Sequence, residues 1–133
     1  MIKGLAHVCF TVRDLEASIA FYRDKLGFTP AFDFVDDAGR RFGAYLHVGG
    51  RAFIELFRAE KVQPAQGQSY QHICLEVDDI ETTVAELRRG GVDVGEITLG
   101  GDNSWQAWLE DPDGNKIELH CYTPESKQTP WLA

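Results

Sequence analysis

Long apolar runs, paired cysteines, basic charge and compositional bias are all scarce in this sequence, and each shortage closes off a class of function. No apolar stretch approaches the roughly 20 residues a helix needs to span a bilayer, so no membrane partner is expected. The opening MIKGLAHVCF passes straight into an alternating pattern without the apolar core of a secretory signal, which points to a cytoplasmic chain. The three cysteines (Cys9, Cys74 and Cys121) are odd in number and show no CxxC spacing. A disulfide framework is therefore not expected, and each cysteine, lying in a strand-like run, reads as a small buried hydrophobe. Lysine and arginine number 13 against 21 aspartates and glutamates, for a net charge of −8. A nucleic-acid partner needs a basic face to neutralise phosphates, so a small-molecule substrate is the expected partner instead. What remains is 133 residues of ordinary globular composition, 44% apolar and 26% charged, read as one domain over 1–133.

What the sequence does contain is a repeat. HVCFTVRDLEASIAFYRDKLG (His7 to Gly27) lies over HICLEVDDIETTVAELRRGG (His72 to Gly91), and GGRAFIELF (Gly49 to Phe57) over PDGNKIELHCY (Pro112 to Tyr122). The histidines stand 65 positions apart and the aligned glutamates 63, so the second copy is two residues shorter in its loops. Each copy reads as strand, helix and three further strands. His7, Cys9 and Thr11 alternate with Val8, Phe10 and Val12. Asp14 and Asp79 are candidate N-caps, and Leu15, Ile19, Tyr22 and Leu26 recur at helical spacing up to Gly27. Strands are expected over 29–36, 41–48 and 52–58, then over 94–98, 104–110 and 116–122. Turn signals (DDAG, GG, GGDN and DPDGN) separate them. The first module is placed at 1–59, a linker at 60–69, the second module at 70–122 and an irregular tail at 123–133. The expected fold class is α+β: two tandem βαβββ modules forming a curled mixed sheet.

The metal expectation rests on four residues. Each module carries one histidine on its first strand and one glutamate on its last, and the two modules would bring His7, Glu55, His72 and Glu118 together. Two nitrogens and two hard oxygens suit one divalent metal ion per site, of the Zn, Ni, Co, Mn or Fe group. A lone strand histidine is more often structural than a ligand. A glutamate inside FIELF or KIELH is harder to explain away, because an unpaired buried carboxylate costs several kcal/mol by order of magnitude. Chemistry suited to such a site abstracts a proton next to a carbonyl through a metal-stabilised enediolate.

These motifs (HVCFTVRDLEASIAFYRDKLGF, QHICLEVDDIETTVAELRRGG and DPDGNKIEL) resemble the vicinal oxygen chelate superfamily, the glyoxalase/bleomycin resistance/dioxygenase fold, over residues 1–122. The resemblance implies a metal-dependent lyase or isomerase of the glyoxalase I (lactoylglutathione lyase) type, with all four ligand positions filled. It implies Glu118 as the better candidate base and Glu55 as ligand or second base. Bleomycin-sequestering members lack these ligands, which argues against a metal-free binding module. An Fe(II) extradiol-type dioxygenase and a metal-retaining binding protein are the alternatives. Bacterial glyoxalase I enzymes place an arginine where this chain has Thr11 and an asparagine where it has Ala59. The loss of both implies a substrate other than a glutathione adduct.

Around the four ligands, His120 shares the face of Glu118 and is expected to look into the pocket, against the rival of a solvated strand end. Trp105 and Trp108 lie on opposite faces of one strand, so one is read as pocket lining and the other as core. Tyr45 occupies the repeat position of Trp108, and Arg58, just past Glu55, is a candidate for an anionic group. The resemblance implies a homodimer, as many relatives of this length are, so His7 and Glu55 are expected to meet His72 and Glu118 of a partner chain.

Overall fold

The computed structural model describes residues 1–63 and 67–132. Of the linker expected over 60–69, positions 64–66 lie outside the described residues, as does the last residue of the tail. The chain divides into two compact units, Met1–Gln63 and Pro64–Ala133. Each is a mixed four-stranded sheet with a helix on one face, and the fold is α+β. Among the described residues no helix is long and apolar enough to cross a membrane.

The first unit runs β1 (His7–Val12), α1 (Leu15–Ala20), β2 (Thr29–Val35), β3 (Arg41–Gly49) and β4 (Ala52–Arg58), with sheet order β1-β4-β3-β2. β1 lies parallel to β4, while β3 is antiparallel to both of its neighbours. The alternation decides which face turns inward: Phe10, Val12, Ala44, Leu46, Ile54 and Leu56 are buried together with Leu15, Ile19 and Tyr22 of the helical segment. Each of the Val, Leu, Ile and Phe side chains among them stabilises the fold by about 1.5–3 kcal/mol when fully buried. A register slip of one residue would lose all of this at once. Asp14 caps α1, its Oδ1 accepting from the Ala17 N–H at 3.0 Å.

The helical periodicity up to Gly27 is present but not as one α-helix. After Ala20 the chain makes a wider π turn over Phe21–Lys25, with the Leu26 N–H donating to the Phe21 carbonyl at 3.3 Å. That turn sets Tyr22, 1% exposed, between Phe10 and Phe28, with ring centroids 6.3 and 5.7 Å away. Aromatic packing here outweighs regular helix geometry. Gly27 then takes φ +76°, where a side chain would be strained.

The second unit repeats the plan with β5 (Ile73–Glu76), α2 (Ile80–Arg89), β6 (Thr98–Leu99), β7 (Trp105–Glu110) and β8 (Lys116–Cys121), in the order β5-β8-β7-β6. Asp79 caps α2 through the Thr82 N–H at 3.0 Å. Ile80, Val84 and Leu87 cover Ala107, Leu109, Ile117 and Leu119. His72 stands immediately before β5 rather than inside it.

The strand expected over 94–98 shrinks to two residues. The Arg88 guanidinium donates to the carbonyls of Val94 and Gly95 at 2.9 and 3.0 Å, so those groups are taken by a side chain instead of a strand ladder. The tail is irregular as expected, ending in a 3-10 turn at Thr129–Trp131. It is nonetheless tied down: the Ser126 and Ser104 hydroxyls meet at 2.7 Å, and Gln128 donates to Asp102 at 2.5 Å.

Two expectations about burial fail. Cys9 and Cys74 are exposed and Cys121 half-buried, because the first two share the histidine face, which carries no helix, and the third ends its strand. With Trp108 as the pocket residue, the core position fell to Trp105, which is instead 41% exposed. It stands on the helix side of β7 but at the strand's end, where it lines a hollow with Ile80, Ile97 and Cys121.

Candidate metal centre

The two units place their candidate ligands by the same register. Glu55 sits between Cys9 of β1 and Tyr45 of β3; Glu118 sits between Cys74 of β5 and Trp108 of β7. The histidine stands two residues before the cysteine each time. Strand alternation sends all of these to the face opposite the helix.

In the first unit, His7 Nε2 lies 3.7 Å from Glu55 Oε1. The other ring nitrogen, Nδ1, is 2.7 Å from the Tyr45 hydroxyl. With the proton on Nδ1, His7 donates to the Tyr45 oxygen and presents the Nε2 lone pair to the Glu55 side. Partial desolvation, then the hydrogen bond and charge of Glu55, push the Cys9 thiol up to about 11. In this arrangement Cys9 is a protonated donor to Glu55. Tyr45 stacks on Phe32 at 4.7 Å and packs on Phe53 at 5.1 Å, and the row continues through Phe34 and Phe57. Thr11 stands opposite Phe57 at the end of β1. Arg58 is separated from Glu55 by alternation: it ends β4 on the Ile54 and Leu56 side, exposed, so the expected reach toward an anion beside Glu55 is not what the strand provides.

In the second unit the arrangement is tighter. His72 Nε2 is 3.0 Å from Glu118 Oε2, with the Trp108 ring edge-on to His72 at 4.7 Å. His120 Nδ1 lies 3.1 Å from Glu118 Oε1. His120 is only 7% exposed, so it is a buried neighbour of Glu118 rather than a solvated strand end. Its Nε2 faces Asp102 Oδ2 at 3.5 Å. Partial desolvation, then the charge of Glu118 and a hydrogen bond to it, push the Cys74 thiol up to about 12. Donor atoms of Cys74, Glu118 and His120 all lie within 4.8 Å of one another. His72 and Trp108 also line a groove of about 620 Å³ with Gln71, Asp93 and Glu110.

The donor chemistry fits a divalent ion. Two ligands bonded at about 2.0–2.2 Å to one tetrahedral ion stand between 3 and 4 Å apart, as each histidine–glutamate pair does. Tyr45 on His7 is the kind of outer partner that fixes a ligating imidazole. Two neighbours of Glu118 were not among the expected site residues. Cys74 was legible, since it falls opposite Glu118 once the parallel pairing is drawn. Asp102 was not, because it sits in a loop held by Gln128 of the tail, and nothing in GGDN signals that contact.

A family model described as the Glyoxalase/Bleomycin resistance protein/Dioxygenase superfamily matches residues 4–119. The chain belongs to that superfamily. A lactoylglutathione lyase of Haemophilus influenzae is 33% identical over 128 residues, covering 86% of this chain and 90% of the relative. The metallothiol transferase FosB of Staphylococcus epidermidis is 32% identical over 130 residues, covering 92% and 84%. Among solved structures, TnmS3, an antibiotic binding protein from Streptomyces sp. CB03234, superposes with a TM-score of 0.74 at 26% identity, covering 92% of this chain and 98% of that one. Two of these relatives are named as enzymes and one as a binding protein, so membership of the superfamily leaves the reaction open.

Proposed function

We propose that the chain is a divalent-metal-dependent lyase or isomerase that removes a proton next to a substrate carbonyl, with His7, Glu55, His72 and Glu118 as metal ligands. The observation that carries this reading is the pairing of an imidazole with a carboxylate, at 3.7 Å in one unit and 3.0 Å in the other, on the helix-free face of each sheet. A Zn, Ni, Co, Mn or Fe ion there would act as a Lewis acid toward substrate oxygens. Glu118 is the proton acceptor: it is 8% exposed, and its carboxylate is flanked by His72 and His120. Glu55 is a ligand or the second base that returns the proton. Trp108, Tyr45, His120 and Thr11 are the substrate contacts. Thr11 and Ala59 offer no cation or amide for the ends of glutathione, so the substrate is a smaller hydroxycarbonyl compound. The working form in this reading is a homodimer in the cytoplasm, and sedimentation tests the pairing.

The test starts with metal analysis of protein purified without chelator. One metal per chain is expected, and chelation should lower the melting temperature because the ion stabilises only the folded state. Hydroxycarbonyl compounds in deuterated water should then exchange the proton beside the carbonyl. Each missing charged contact costs about 1–3 kcal/mol, so the methylglyoxal–glutathione adduct should turn over about two to four powers of ten more slowly than in an enzyme with both contacts. The likeness to TnmS3 favours one second reading, a metal-retaining binding protein, for which ligand would bind tightly without exchange. Oxygen uptake with a catechol would instead make it an extradiol-type dioxygenase.

A further inference from the structure

The row beyond Glu118 contains more donors than the four-ligand reading uses. We propose that Cys74 and His120 also bind the metal, which moves His120 from the substrate contacts to the ligands, so that the second unit offers thiolate, imidazole and carboxylate beside His72. This rests on the reading that a divalent ion is held at Glu118.

Three observations carry it. Cys74 stands directly opposite Glu118 in the parallel β5–β8 pairing, and the sulfur, the Glu118 oxygen and the His120 nitrogen fall within 4.8 Å of one another. His72 lies on the other oxygen of the same carboxylate, 3.0 Å from Oε2, while His120 meets Oε1. His120 is also supported from behind: its Nδ1 faces the donors, while its Nε2 faces Asp102 at 3.5 Å. Asp102 is in turn fixed by the Gln128 amide at 2.5 Å and the Ser104 N–H at 3.1 Å. A ligating imidazole commonly hands its second N–H to a carboxylate that is itself held in place, and this chain, buried at His120 and half-buried at Asp102 and Gln128, has that form. The first unit lacks it, because Phe57 occupies the position equivalent to His120.

On coordination the Cys74 S–H bond breaks, the sulfur keeps the electron pair for the metal, and the proton passes to solvent. Thiolate with imidazole selects Zn(II) and Co(II) over Mn(II) and Mg(II), which prefer all-oxygen surroundings.

The experiment titrates Co(II) into the full-length, metal-stripped protein and reads the near-ultraviolet thiolate-to-cobalt charge-transfer band. The band should appear in the wild type, persist in Cys9→Ser and Cys121→Ser, and vanish in Cys74→Ser. His120→Gln, checked for folding by circular dichroism, should keep the band but weaken zinc by about tenfold or more, since losing even an outer partner of a ligand costs that much. A cobalt spectrum without the charge-transfer band, a band that follows Cys9 instead, or unchanged zinc affinity in His120→Gln would overturn this proposal and leave the four-ligand reading standing. No cobalt or zinc binding at all would bring down both.

Discussion

The two units carry the same sheet, helix, cap and histidine–cysteine–glutamate register, and then part at a single row of the sheet. One step beyond the glutamate, the first unit has Thr11, Phe57 and Gly43 side by side, and the second has Glu76, His120 and Gln106. In the first, the Phe57 ring lies over Gly43, where an added Cβ would come within 2.7 Å of it. Phe34 and Phe42 extend that apolar wall at 5.1 and 6.1 Å. In the second, the same row is a polar chain from Glu118 through His120 to Asp102. The difference follows from where the folding energy lies. Burial under the helix fixes the register of each sheet, so the helix-free face can diverge without disturbing it. A duplicated fold can thus turn one row of the sheet into an apolar wall in one half and a polar chain in the other.

The sharpest way to break this comparison is to remove one carboxylate at a time. Glu118→Gln should slow proton exchange by about 10²–10⁴-fold, the usual worth of a positioned base, and Glu55→Gln by less, both followed by NMR in deuterated water. Equal losses would erase the functional distinction between the units. Next in size are the cores that the units share. Ile54 and Ile117 are equivalent and both 0% exposed, so Ile54→Ala and Ile117→Ala should each cost about 2–5 kcal/mol in urea unfolding. A large inequality would show that the two cores do not carry equal weight.

Smaller effects probe the diverged row and the caps. Gly43→Ala should cost about 1–3 kcal/mol, because its Cβ meets the Phe57 ring and, at 2.9 Å, the Leu56 carbonyl. Adding Phe57→Ala should recover part of that loss, and Gln106→Ala at the matching position should cost less, both read by thermal denaturation. At the small end, Asp14→Ala and Asp79→Ala each remove one 3.0 Å cap bond and should cost about 1 kcal/mol apiece. Unequal costs would mean that the π turn after α1 has changed what its cap is worth.

The amino-acid sequence alone determined the parts whose signal is local or repeated. The βαβββ order, both aspartate caps and the shared face of His7 with Glu55 and of His72 with Glu118 follow from period-two alternation, short polar turns and two aligned copies. What tertiary structure decided are the places where a distant group competes for the backbone or for a face. Arg88 shortened β6 by taking two carbonyls, and Tyr22 widened a helical turn by packing on Phe10 and Phe28. Cys9 and Cys74 came out exposed because no helix covers their face, which no property of cysteine reveals. His120 became a buried partner of Glu118 because the tail holds Asp102 against it, 26 residues from Gln128 in sequence. Contacts at such separations depend on which surfaces are left over once the helices have covered their sheets, and a local pattern carries no record of that.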